Sequence, residues 1–292
     1  MKDLFGNKII EDVLLRDKFI EPPFTILDSK TGNWQNRRRR WQNIGIKSEL
    51  GRVAEGGGSW QDLSLNPRTA ESTSKIAAVG DVASIFDPAL TELMYYWFCE
   101  QGGKILDPFA GGSVRGIVAN YLGYKYTGIE LRNEQVESNL EQAQVIMPKN
   151  LPNWICGDSD KELEKLNGQF DFIFSCPPYA DLEVYSNLPE DLSNMDYKDF
   201  LEKYRSIIKK SLALLKKNAY AVFVVGEVRD KNGYYYDFVG DTKRAFMDHG
   251  AKFYNDAILL NSVGSGSMRT KQFEISKKLV KIHQNVLCFK KI

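Results

Sequence analysis

Residues 104–120, KILDPFAGGSVRGIVAN, constrain the fold more than any other stretch of the chain. An apolar run ending at Leu106 meets a tight turn with two adjacent glycines, Gly111 and Gly112, and then residues with helical spacing. Glycines in such a turn let a ligand approach the main chain, and the following helix start offers unpaired N–H groups. The motif suits a nucleotide-like cofactor, although alone it also serves as an ordinary strand-to-helix turn. Its context is a series of short β-like runs separated by helical stretches: KYTGIE, NWICGD, FDFIFSC and AYAVFVVGE, then a late pair, KFYNDAILL and NVLCFKK. Strands alternating with helices predict a mainly parallel sheet covered on both faces. Such sheets bind ligands beyond the carboxyl ends of their strands. The late pair predicts an antiparallel hairpin at the C-terminal end, its long loop placed to cover the site.

Upstream of this pattern the composition changes. Residues 1 to about 80 contain EPPF, TGNW, the run Arg37 to Arg40, EGGGSW and the polar stretch SLNPRTAESTSK, which favour turns and loops. The expected organisation is a loop-rich basic extension over 1–80 and a catalytic domain over 81–292. Lys and Arg total 39 against 38 Asp and Glu, a net charge of +1, so any polyanion must be held by a local patch. The cysteines Cys99, Cys156, Cys176 and Cys288 form no C-x-x-C pair, and His249 and His283 are the only histidines, so neither a metal site nor a disulfide framework is expected. The N-terminus lacks an apolar signal core, and no apolar run approaches the ~20 residues of a membrane span, which predicts a cytoplasmic protein.

Candidate chemistry gathers at the predicted strand ends. Glu130 closes one strand, where a carboxylate can accept hydrogen bonds from a ribose diol, and Asp158 follows the next, placed to accept from an adenine amino group. FDFIFS runs into Cys176, Pro177, Pro178 and Tyr179. The two prolines remove N–H donors and leave carbonyl acceptors, and Tyr179 supplies a face for stacking an extruded base. Arg37, Arg38, Arg39 and Arg40 lie between Trp34 and Trp41, a mixture able to neutralise phosphates and stack on bases. Lys277 and Lys278 in the basic tail give a second candidate nucleic-acid surface.

These motifs resemble those of the S-adenosylmethionine-dependent DNA methyltransferases that modify exocyclic amino groups, the N4-cytosine and N6-adenine type. DPFAGGS is similar to their cofactor loop, CPPY to their catalytic tetrapeptide, and FDPALTELMYYWF to the helix that closes over the methionine end of the cofactor. The resemblance covers roughly residues 80 to 230. It implies a Rossmann-like class I methyltransferase fold with a mainly parallel seven-stranded sheet, S-adenosyl-L-methionine as cofactor and DNA as partner, with RNA as an alternative. It also implies that Phe86, Asp87, Asp107, Phe109, Gly111, Gly112, Glu130 and Asp158 line the cofactor pocket, and no metal is required.

One position departs from the family pattern. The tetrapeptide usually begins with Asp, Asn or Ser, whose oxygen accepts from the target amino group, whereas this chain has Cys176, a weak acceptor. A thiolate is instead a strong nucleophile, and its attack on pyrimidine C6 would activate C5 for methylation, with Glu227 as the acid. Motif resemblance favours amino transfer, and C5 transfer is the alternative. A DNA-binding accessory protein without turnover is a third reading.

Overall fold

The computed structural model describes residues 15–47, 86–178, 188–261 and 270–292. Ahead of the core lie α1 (Leu15–Phe19), β1 (Ile26–Asp28) and α2 (Gly32–Ile44). The core begins α3 (Pro88–Phe98), β2 (Lys104–Asp107), α4 (Val114–Tyr121), β3 (Lys125–Glu130), α5 (Asn133–Ile146) and β4 (Asn153–Cys156). It continues α6 (Ser159–Glu162), β5 (Phe170–Ser175), α7 (Tyr197–Leu214), β6 (Leu215–Val225) and α8 (Phe238–Met247), and ends β7 (Ala251–Leu260), α9 (Lys271–Ser276) and β8 (His283–Lys291).

The strands form one sheet in the order β1-β7-β8-β6-β5-β2-β3-β4. β8 runs antiparallel to both β6 and β7, and the remaining pairings are parallel. All seven strands read from the sequence are present, with the late pair antiparallel as expected. The sheet has eight strands rather than seven, because Ile26–Asp28 adds to its edge beside β7.

Alternating side chains divide the core into two layers, as the period of a strand dictates. Phe172, Phe174, Val222 and Val224 face the layer of α3, α4 and α5, where Leu93, Tyr95, Ile117, Val118 and Ala143 bury against them. Ile173, Ala221, Phe223 and Val225 face α7 and α8, meeting Phe200, Tyr204, Ile208 and Phe246. Aspartates set the helix starts on both sides: Asp87 accepts from the N–H groups of Ala89 and Leu90, and Asp196 from that of Asp199.

In its described part, residues 15–47, the N-terminal stretch departs from the turns and loops expected of it. Within 15–47 the arginine run lies inside a thirteen-residue helix, α2, capped by the Thr31 side chain and ended at Gly45, whose φ is 113°. Arginine is a good helix former, and residues seven apart return to one helix face. Trp34 and Trp41 use that spacing to bury themselves, at 2% and 4% exposure. Their indole N–H groups donate to Asp87 and Glu92 at 2.9 Å each, and Arg37 pairs with Glu92 at 2.7 Å. Past its centre the helix reaches Tyr121, whose ring meets that of Trp41 at 5.3 Å, and the Lys47 N–H donates to Gln142 on α5. No helix among the described residues is long and apolar enough to cross a membrane.

Candidate functional site

The carboxyl ends of β2 to β6 open into a cleft of about 900 Å³, near the upper end for small-molecule sites. Its floor on the β2 side is a charge cluster. Asp107, with no exposed surface, accepts from Arg115 Nε at 2.6 Å, the Tyr126 hydroxyl at 2.8 Å and the Ser175 hydroxyl at 2.5 Å. Burial works against the Arg115 charge, and Asp107 opposite more than restores it, so the guanidinium pKa is raised. Burial, with Asp107 adding to it, pushes the Tyr126 hydroxyl well above its usual range and keeps it a neutral donor. Arg115 then donates to the carbonyls of Phe109 and Ala110, fixing the loop that follows β2. Asp107 therefore shapes the loop from below and does not itself line the cleft.

Above this floor the glycine turn faces the cavity. Gly111 has φ 52°, and a Cβ placed there would meet nothing within 4 Å, so its main chain opens onto free space. Its N–H donates to Glu130 Oε2 at 3.0 Å and its carbonyl accepts from Asn139 at 2.8 Å. Gly112, Phe109, Phe86 and Asp87 share the lining. Phe86 stands edge-on to Phe174 and over the Arg115 guanidinium, while Asp87 caps α3 and holds Trp34. Asp158 caps α6, pairs with Lys203 at 3.1 Å and lines the same cavity. Glu130 and Asp158, carboxylates at successive strand ends, are hydrogen-bond acceptors suited to a nucleoside, and the exposed Gly111 backbone leaves room for one. This donor and acceptor set fits S-adenosylmethionine.

At the end of β5, Cys176 is partly exposed, Pro177 is buried and Pro178 is partly exposed, and all three line the cleft. Cys176 lies within electrostatic reach of Arg115 and Tyr204. Tyr179 and residues 262–269 of the loop expected to cover the site lie outside the described residues. Glu227, at the end of β6, also lines the cleft, but its two oxygens accept from the N–H groups of Phe238 and Val239 at the start of α8. Its geometry is that of a helix anchor.

The arginine run is divided by helical geometry. Arg37 is paired to Glu92, Arg38 lines the cleft, and Arg39 and Arg40 are exposed. The burial of Trp34 and Trp41 corrects the expectation that they stack on bases, because their faces belong to the core. Lys277 ends α9 with its ammonium 5.1 Å from the Phe273 ring centroid, and Lys278 packs by Gly233; neither lines the cleft. Residues not singled out in the sequence do line it: Arg132, Lys203, Lys281 and His283. Burial lowers the Lys281 pKa against the opposing pull of Glu227, and burial together with Lys281 lowers that of His283. Among the described residues no group of three or more His, Cys, Asp or Glu side chains is placed to hold a metal ion.

Ignoring the added edge strand, the order β4-β3-β2-β5-β6-β8-β7 with β8 reversed, and the cleft at the carboxyl ends, define a Rossmann-like class I methyltransferase fold. No protein-family model matches the sequence, and no curated protein matches it. Among solved structures the chain is similar to TrmN from Thermus thermophilus, at 12% identity over 71% of this chain and 49% of that one, with a TM-score of 0.48. It thus spans about half of that protein's length. It is also similar to magnesium protoporphyrin IX methyltransferase from Synechocystis PCC 6803, at 12% identity over 87% and 90% of the two chains, TM-score 0.45. A TehB-like SAM-dependent methyltransferase from Corynebacterium glutamicum matches at 16% identity over 76% and 96%, TM-score 0.43.

Proposed function

We propose that this protein transfers a methyl group from S-adenosylmethionine to an exocyclic amino nitrogen of adenine or cytosine in DNA. The observation that carries this reading is that one cleft holds both the Gly111, Glu130 and Asp158 edge and the Cys176-Pro177-Pro178 turn. Glu130 and Asp158 would hold the nucleoside end of the cofactor, and Phe86 and the Gly111 main chain its path toward β5. Once bound, the cofactor supplies an electrophilic methyl group on a sulfonium. The chain's own part is to bind, align and desolvate. Pro177 and Pro178 present carbonyl acceptors without competing N–H donors, a polarity suited to two amino hydrogens. Alignment of the amino nitrogen with the methyl carbon would give much of the acceleration; as the N–C bond forms the C–S bond would break, S-adenosylhomocysteine would be the leaving group, and the amino proton would pass to solvent.

Pyrimidine C5 transfer through Cys176 is the alternative. It needs an activated thiolate and a carboxylic acid beside the ring. Arg115, the cation near Cys176, is committed to Asp107, and both Glu227 oxygens hold the start of α8. These commitments favour amino transfer.

The test is transfer of labelled methyl to unmodified duplex DNA and to structured RNA, by wild type and Cys176→Ser. Amino transfer predicts label in DNA, retained or increased with serine, whose oxygen is the better acceptor. Loss of label in the serine variant supports C5 transfer. Label confined to RNA places the substrate there, and binding of DNA without transfer supports an accessory protein.

A further inference from the structure

Among the described residues four arginines line the cleft, and three are committed to protein partners. Arg115 holds Asp107 and two loop carbonyls, Arg132 holds Glu130 and Gln135, and Arg229 holds the Gly233 carbonyl and lies over the Tyr235 ring. Arg38 differs: among the described residues it has no hydrogen bond or ion pair. It is nonetheless held in place. Trp34, four residues before it, is bonded to Asp87, and Trp41, three residues after it, to Glu92, so α2 is fixed to α3 on either side of Arg38. Asp87 is not available to it, since its oxygens accept from the N–H groups of Ala89 and Leu90 and from Trp34.

We propose that Arg38 is the cleft's oxyanion receptor and binds the α-carboxylate at the aminoacyl end of the methyl donor. A guanidinium with its donors free on an anchored helix matches a carboxylate's two oxygens. Charge fixes the orientation. Glu130 and Asp158, which would hold the nucleoside end, and Glu190 repel a carboxylate, so the donor's only anionic group must lie away from them, toward a cation without a partner among the described residues; Lys281, the other such cation of the lining, faces the carboxylate of Glu227, which leaves Arg38. This inference rests on the cofactor assigned above, and it takes Arg38 out of the nucleic-acid surface that the arginine run suggests.

The test is calorimetric binding of S-adenosylhomocysteine, which has the carboxylate, and of 5′-methylthioadenosine, which lacks it, to wild type, Arg38→Gln and Arg38→Lys. Circular dichroism verifies that each variant is folded. Arg38→Gln is expected to weaken S-adenosylhomocysteine by about 10- to 100-fold, the worth of a charge-assisted hydrogen-bonded contact. Methylthioadenosine should bind all three proteins within about twofold, and lysine should be intermediate. Equal weakening of both ligands, or unchanged S-adenosylhomocysteine binding with loss of DNA affinity, overturns the carboxylate assignment. Failure of wild type to bind S-adenosylhomocysteine refutes the cofactor itself, an outcome distinct from normal binding by the glutamine variant.

Discussion

Replacing Asp107 by asparagine removes a charge from a side chain with no exposed surface and leaves its partner, Arg115, only 5% exposed. Removing one member of a buried ion pair costs about 3–5 kcal/mol, because the other charge remains without water or counter-ion. Asparagine has one acceptor oxygen where Asp107 uses two, Oδ2 for Tyr126 and Oδ1 for Ser175 and the Phe109 N–H, so a displaced donor adds to the cost of the stranded guanidinium. That amount is a large share of the ~5–15 kcal/mol typical of a folded protein. Arg115→Met strands the opposite charge while keeping a side chain against the Phe86 ring, now 4.5 Å from the guanidinium. The double variant strands neither, so it should be less destabilised than the sum of the singles by ~1–3 kcal/mol. Urea unfolding of the four proteins gives the coupling. Additivity within about 0.5 kcal/mol, or an Asp107→Asn cost below about 1 kcal/mol, would refute the view that this pair holds the loop. S-adenosylhomocysteine affinity should fall in each single variant, since Arg115 fixes the Phe109 and Ala110 carbonyls.

Two glycines in the same segment should separate stability from binding. Gly111→Ala meets no atom, so its strain at φ 52° costs only about 1 kcal/mol while the methyl intrudes on the cofactor path; Gly116→Ala drives a Cβ into Trp154 and should destabilise by ~1–3 kcal/mol, both read by urea midpoint and ligand titration. Burial pushes the thiols of Cys99 and Cys288 up to about 12, which leaves almost no thiolate at pH 8. Mass-spectrometric mapping after brief alkylation should find both unmodified in native protein and modified in urea, and equal labelling in the two states contradicts this. The Asp160 carboxyl is raised by burial but lowered more by hydrogen bonds from Lys210 and Ser206, so its folded pKa lies below the unfolded value. Its contribution is complete above the ordinary carboxylate pKa of ~3.9 and disappears as pH falls through the lowered value. Asp160→Asn should therefore flatten the acid side of the stability curve, and an unchanged slope argues against the contribution.

The core was legible because its signals are local. Seven strands announce themselves as apolar runs with turn residues after them; Glu130 closes one strand and Gly111, Asp158, Cys176 and Pro177 follow others, where a parallel sheet must bring them together. β1 was not legible, since Ile26–Asp28 is three residues long and its partner lies more than two hundred residues later. The tryptophans of α2 misled for a related reason. Flanking an arginine run, they read as a stacking surface, yet their spacing of seven was the available sign of a buried helix face. The separate fates of Arg37 and Arg38 depend on where α3 lies, and Asp107's withdrawal beneath the loop depends on Arg115 folding back from the next helix; neither is a property of local sequence.

The measurement that bears most directly on methyl transfer is nucleoside mass spectrometry of unmodified duplex DNA incubated with the protein and methyl-labelled S-adenosylmethionine. The proposed chemistry predicts label on the exocyclic nitrogen of adenine or cytosine; label on pyrimidine C5, or DNA recovered without label, would contradict it.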